Sequence, residues 1–454
     1  MKTLALLLLP LALPAQELSV DEVRAIVAYA AGISPGASVV VSDRPGNILA
    51  IYPGAGSNAD VERALSLART GAFFSSFGTP LSSRTVRYIS RANFPEGIPN
   101  QPAGALFGIE ATNRGCNLNV SYLPGQSFPQ LLNATGDGYG LGIATVPGGA
   151  PLFRNGENVV GGIGVFGAGS DDRNEAIAAG AGAAAGFFVR LPLPDPGAVY
   201  IDGFRLPYVN GVATGGASAV DVAAIAGSPA PEGWLAGPAA GRSLSAADVT
   251  AIVTNAINTA SRTRAQIRLP LGSRARMVIA VSDLDGSILG LYRMMDSPVF
   301  SVDVAVTKAR NVIYFSSADR DPSDLSGVPL GTAVTNRTIG FGSQPYFPSG
   351  IWNSKPGPFA DLLAFTLANP CTQGHQPANA NQSGVVFFPG SAPLYRNGQI
   401  VGGLGVSGDG VEQDDYVTAG GAAGYDAPAG IRADQVFIRS VRLPYWKFPR
   451  NPEQ

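Results

Sequence analysis

Five blocks of residues recur in the same order, about 240 positions apart. VSDRPGNILAIY (41–52) is answered by VSDLDGSILGLY (281–292), and ALSLARTGAFFSS (64–76) by AVTKARNVIYFSS (305–317). SRTVRYISRANFPEGI (83–98) is answered by NRTIGFGSQPYFPSGI (336–351). APLFRNGENVVGGIGVFG (150–167) returns as APLYRNGQIVGGLGVSG (392–408), and FRLPY (204–208) as VRLPY (441–445). Ordered matches of this kind mark a tandem duplication, with copies at 17–210 and 244–450. The stretch between them, 211–243, is rich in Gly, Ala and Pro and nearly uncharged, which reads as a linker with one ordered turn near Val220 to Ile225.

Each copy carries the same local signals. Ser19 with Glu22, and Ser245 with Asp248, form capping boxes ahead of apolar residues at helical spacing. Two short apolar runs follow, SVVVSD and ILAIY or MVIAVSD and ILGLY, joined by turn residues such as Asp285-Gly286. A second amphipathic helix, a long variable loop, a hairpin around Asn155-Gly156 or Asn397-Gly398, a short helix and a closing strand complete the unit. Helices interleaved with antiparallel hairpins predict an α+β domain, a sheet of about five strands with helices packed on it.

The N-terminus, MKTLALLLLPLALPAQ, has one basic residue, an apolar run and small residues ending at Ala15. This is the pattern of a signal peptide over 1–15 and is too short to span a membrane. The expectation is an exported protein, periplasmic or extracellular. Net charge is −2 with scattered arginines, which is no electrostatic footprint for nucleic acid. No later segment is long and apolar enough for a membrane span.

GIGVFG (162–167) and GLGVSG (403–408) fit the G-x-G-x-x-G template of dinucleotide binding. That fingerprint needs a parallel strand, the glycine turn and then a helix. Here the glycines follow an Asn-Gly hairpin and alternate with Val401, Leu404 and Val406. They read as a glycine-rich antiparallel strand, approached closely by another backbone or a flat ligand.

The order VSDxxGxIL, the helix with Lys308-Ala309-Arg310, and PLYRNGQIVGGLGVSG followed by Val411-Glu412-Gln413-Asp414 resembles the GlcG/HbpS-like heme-binding family. The resemblance covers both copies apart from the signal, the linker and the loops around 99–146 and 352–388. It implies two profilin-like α/β sandwiches, heme or iron as ligand, and oligomer formation. The first copy departs from the pattern, with Leu67 in place of the lysine and Gly169-Ser170-Asp171-Asp172 in place of the acidic run.

The single histidine, His375, is either a bystander or a ligand of heme iron or a metal, with Glu412 and Asp414 as carboxylate candidates. Those acidic residues also suit the start of a helix. The repeated Arg84-Thr85 with Phe94, and Arg337-Thr338 with Phe347, would suit a propionate and a porphyrin face, or else pin the long loops. The two cysteines fall at nearly equivalent places in the copies. In an exported chain that predicts a Cys116–Cys371 bridge across an internal pseudo-dimer. No catalytic constellation is present: a Ser-His-Asp triad would need His375 and lacks a G-x-S-x-G elbow. Two functions remain open, a non-enzymatic binder of heme, iron or another small ligand, and an assembly module whose ligand site is lost.

Overall fold

The computed structural model describes residues 17–121, 141–190 and 197–454. Residues 1–15, expected from the sequence to be a signal peptide, lie outside the described residues.

The first half runs α1 (Val20–Ile33), β1 (Ser38–Asp43), β2 (Ile48–Tyr52), α2 (Asn58–Phe74), α3 (Ser83–Ile89), β3 (Gly149–Arg154), β4 (Asn158–Phe166) and α4 (Asp171–Ala184), then a small hairpin of β5 (Tyr200–Ile201) and β6 (Phe204–Arg205). The second half begins with β7 (Gly233–Ala236). It continues through α5 (Ala246–Arg262), β8 (Met277–Ser282), β9 (Ile288–Arg293), α6 (Ser301–Phe315), α7 (Asn336–Ser343) and α8 (Ala360–Ala368). β10 (Ser391–Arg396), β11 (Gln399–Gly408), α9 (Val411–Gly421) and a hairpin of β12 (Phe437–Ile438) and β13 (Val441–Arg442) complete it. Both expected capping boxes close, Ser19 with Glu22 on α1 and Ser245 with Asp248 on α5. Each cap contributes about 1 kcal/mol by satisfying otherwise orphaned N–H groups.

The two large sheets share one strand order. The first is β2-β1-β4-β3 and the second β9-β8-β11-β10, all antiparallel, with β7 added outside β9 as a fifth strand. Both faces of each sheet are covered, which is why β1 and β8 are buried at every position instead of alternating. Val39 and Val41 join the α1 and α4 side, while Val40 meets α2. Met277, Ile279 and Val281 likewise join α5 and α9, while Val278 and Ala280 meet α6. The Asn155-Gly156 and Asn397-Gly398 turns have both residues at positive φ, as a two-residue hairpin requires.

The glycine strands let a helix backbone rest directly on the sheet. A Cβ on Gly164 would lie 1.9 Å from the carbonyl oxygen of Ala64 in α2, and one on Gly405 would lie 2.0 Å from that of Ala305 in α6. Close backbone approach is the reason for glycine here, and no phosphate cradle is involved.

The halves share a core. Phe74 stacks on Phe300 with ring centroids 4.1 Å apart, within a cluster that also joins Val86, Ile89 and Leu106 to Ile267, Val386 and Phe388. The long loop of the first half lies on α6: Asp303 accepts the Asn113 N–H at 3.0 Å, Arg310 donates to the Leu118 carbonyl at 3.0 Å, and Leu118 enters the α6 cluster. Cys116 and Cys371 are joined by a disulfide beside this contact.

The stretch 211–243, read from composition as a linker, is hydrogen-bonded along both halves. Ala213, Ser218, Ile225 and Gly227 donate to the carbonyls of Ala176, Ala28, Leu49 and Leu18, after which β7 pairs with β9. Small residues permit this strap to lie flat: a Cβ on Gly32 would meet the Gly216 oxygen at 2.0 Å. Among the described residues no helix is long and apolar enough to cross a membrane.

Candidate functional site

The repeated Arg-Thr pairs form two matching latches. The Ser82 and Thr335 caps start α3 and α7, and Thr85 and Thr338 close those capping boxes. The same threonines donate onward to the carbonyls of Pro207 (2.6 Å) and Pro444 (2.7 Å) in the two RLPY segments. Arg84 bonds the buried Glu175 through Nε at 2.8 Å, and Glu175 also accepts the Asn210 N–H at 2.8 Å. Arg337 bonds the buried Asp415, which accepts the N–H groups of Lys447 (3.0 Å) and Gly390 (2.9 Å). Burial pushes both carboxyls up and the guanidinium beside each pulls them back, so both arginines are committed to internal anions. Phe94 and Phe347 are each held in aromatic contacts within their own half. Phe94 packs edge-on against Tyr88 and Phe204, and Phe347 lies against Phe341 with Arg439 above it.

Arg84 also borders a 460 Å³ pocket with Arg87, Arg91, Asp171, Asp172 and Glu96. Each arginine there has a carboxylate partner: Arg84 has Asp172, Arg87 has Asp171 at 3.6 Å and Arg91 has Glu96 at 2.5 Å. The pocket is balanced in charge and offers little to a propionate.

Beneath the second glycine strand lies a buried ion pair. Lys308 of α6 donates to Asp414 Oδ2 at 3.0 Å and to the Val406 carbonyl at 2.8 Å, and its ammonium sits 5.0 Å from the centre of the Phe388 ring. Burial pushes Asp414 up to about 7 and pushes Lys308 down, each opposed by the charge of the other. The corresponding place in the first half holds Leu67 and Asn174, both within 3.2 Å of a Cβ built on Gly148, as Asp414 and Lys308 are of one built on Gly390. The acidic run after the glycines therefore fills buried pairs through Asp414 and Asp415, while Glu412 pairs with the exposed ammonium of Lys447.

His375 is held by one fully buried carboxylate. Its Nδ1 lies 2.7 Å from Asp324 Oδ1, and its backbone N–H donates to the same group at 3.1 and 3.2 Å. Tyr314 of α6 donates its hydroxyl to Asp324 Oδ2 at 2.6 Å, and Phe365 of α8 stacks against the imidazole at 4.2 Å. A carboxylate only accepts, so Nδ1 donates to Asp324 and Nε2 is the nitrogen turned away from it, the arrangement that orients metal-ligating histidines. The His375 side chain is 44% exposed and Asp324 0%. Nε2 meets no hydrogen-bonding partner among the described residues.

The sequence candidates are thus split among separate places. His375 stands with Asp324, Glu412 with Lys447 and Asp414 with Lys308. No group of three His, Cys, Asp or Glu able to hold a metal ion occurs among the described residues. Sequence reasoning missed Asp324, which lies 51 positions from His375 with no motif linking them. It met Lys308 only as a family residue, although a lysine inside an apolar helix face is itself a signal for a buried partner.

Two-faced antiparallel sheets, each closed by an Asn-Gly hairpin and a glycine strand under a helix, define an α+β class of domain. Residues 244–423 match the family described as haem degrading protein HbpS-like. Two solved structures are similar: a PduOC:heme complex, 22% identical over 40% of this chain and 94% of its own (TM-score 0.26), and Klebsiella pneumoniae protein ORFY of family DUF336, 18% identical over 41% and 93% (TM-score 0.27). No curated protein matches the chain.

Proposed function

We propose that this chain is an exported, duplicated binding protein that takes heme, with His375 as the residue that would hold its iron. The observation that carries this reading is the Asp324–His375 pair: a buried carboxylate pins Nδ1 and leaves Nε2 open at the surface. Heme brings four nitrogen ligands of its own and needs from the protein only one or two, whereas a bare ion needs a cluster that one imidazole does not make. The HbpS-like match of residues 244–423, the half that carries His375, supports the same choice. The first half, joined by the disulfide and the shared core, acts in this reading as a built-in second subunit that steadies the ligand-bearing one.

Hemin titrated into the full chain should give a saturable Soret shift. His375→Ala should weaken it by about tenfold or more, and Asp324→Asn should change the spectrum by removing the carboxylate that orients the ring. A Soret shift of equal strength in His375→Ala sinks this assignment. A chain that binds no hemin favours the second reading, a purely structural pseudo-dimer. That reading rests on Arg84 and Arg337 already being spent on internal carboxylates.

A further inference from the structure

A cleft of about 650 Å³ opens between the two halves, on the side bounded by the connecting strap. That volume is in the range of small-molecule sites. Glu17, Arg44, Phe77 and Val159 line it from the first half, Pro229, Ala230 and Glu232 from the strap, and residues of the stretches 268–276 and 293–296 from the second half. Five arginines border it against three carboxylates, Glu17, Glu232 and Asp296.

Its walls are braced. Arg268 bridges Asp409 (2.7 Å) and Asp296, and Arg293 donates to the carbonyls of Ser297 (2.6 Å) and Pro231 (2.9 Å). Arg44 reaches the carbonyl of Ser75 at 2.8 Å. Cross-links between the halves run along the rim: the Phe77 N–H donates to Asp296 at 2.9 Å, and the Leu269 N–H to Thr79 at 2.8 Å.

Two arginines differ from these. Arg274 donates through Nη1 to the carbonyls of Arg262 (2.8 Å) and Glu453 (3.2 Å), which orient the guanidinium, and the one carboxylate its charge acts on, Glu453, is already held by Arg262 (3.3 Å) and Tyr416 (2.9 Å). The guanidinium of Arg276, two residues on and half-buried, has no hydrogen-bond or ion-pair partner among the described residues. Unlike the pocket at Arg84, where each arginine has a carboxylate of its own, this cleft therefore presents more guanidinium than carboxylate, with Arg276 unpaired and Arg274 left only a share of Glu453. It also presents exposed apolar side chains, Phe77 from one half and Met295 from the other.

We propose that the cleft between the halves binds an amphiphilic organic anion, with its carboxylate or phosphate on Arg274 and Arg276 and its apolar body against Phe77 and Met295. An apolar solute without the acid group would leave the guanidiniums unpaired, and a small inorganic anion would leave the apolar wall wet. Because the cleft is built from both halves and the strap, the site exists only in the joined chain. It is separate from His375 and does not depend on the heme reading.

The probe is 8-anilinonaphthalene-1-sulfonate, an aromatic anion whose fluorescence rises in apolar surroundings, titrated into the full chain. One saturable site is expected, weakened about tenfold or more in Arg274→Glu/Arg276→Glu. An Arg442→Glu control at an exposed position elsewhere should leave it unchanged. Decanoate and decyl phosphate should displace the probe, with the stronger competitor naming the acid group, and decanol should not. If the double variant unfolds, Arg274→Gln/Arg276→Gln takes its place, with thermal unfolding checked first. Absence of saturable binding, equal affinity in the charge variants, or decanol competing as well as decanoate would overturn the proposal. Hemin binding lost in the arginine variants but kept in His375→Ala would instead bring heme to this cleft, supporting it while ending the His375 assignment.

Discussion

Leu67 in α2 and Lys308 in α6 stand at matching points of two helices that rest on matching glycine strands, and their partners differ with them. Where the second half buries a lysine against Asp414, the first buries a leucine beside Asn174, whose side chain accepts the Ala168 N–H at 2.8 Å. The first half carries no charge on either side of this place. A buried ammonium or carboxylate left alone costs several kcal/mol, so only the joint replacement is tolerated. Around that point the halves stay alike, down to the latch: arginine on a buried carboxylate, and the same carboxylate on the backbone of residue 210 or 447. The scaffold is common to both halves, while the ion pair and the Asp324–His375 pair belong to the second alone.

The strongest way to break this comparison is to transplant it. Lys308→Leu alone strands Asp414 and should cost about 3–5 kcal/mol in denaturant unfolding. Lys308→Leu with Asp414→Asn, the first-half combination, should recover most of that loss. A double variant as unstable as the single one would show that the two places are not equivalent. Next in size is the disulfide. Cys116→Ser with Cys371→Ser should lower stability by about 2–4 kcal/mol, read by unfolding of the oxidised wild type beside the variant.

The smallest effect concerns a position where the halves differ at their entrances, Glu17 in the first and Ser243 in the second. Burial, helped by the charge of Asp43 and opposed by Arg154, pushes Glu17 up to about 7. Arg44 lines the same cleft. The folded chain thus holds this proton more tightly than the unfolded one. The stabilisation is full below the ordinary value of 4.5 and is lost as pH rises to about 7. Wild type should therefore lose stability relative to Glu17→Gln over that window, by about 1 kcal/mol once solvent screening of a half-exposed group is allowed for. Parallel pH profiles of the two proteins would remove Glu17 from the account.

Much of the scaffold was legible in the residues. Both capping boxes, the Asn-Gly turns, the strand pairs and the antiparallel glycine strand follow from interactions within a few positions of chain, where spacing and turn chemistry decide. The candidate site was less so. Arg84, Thr85, Arg337 and Thr338 stood out because they repeat, yet in each half they latch an RLPY segment, a structural duty. Glu412 and Asp414 suggested helix-end charge or metal ligands, and nothing local indicated that Asp414 would face a lysine 106 positions away.

The block pattern, the hairpins, the caps and the two equivalent cysteines were set by the chain alone, because each depends on short-range geometry or on counting. Three features were decided only by packing: Asp324 against His375, Lys308 against Asp414, and the cleft that Arg274, Arg276 and Phe77 line together. The reason is physical. The worth of a charge depends on how much water surrounds it and which distant segment arrives beside it, and both are fixed only when the halves close on each other.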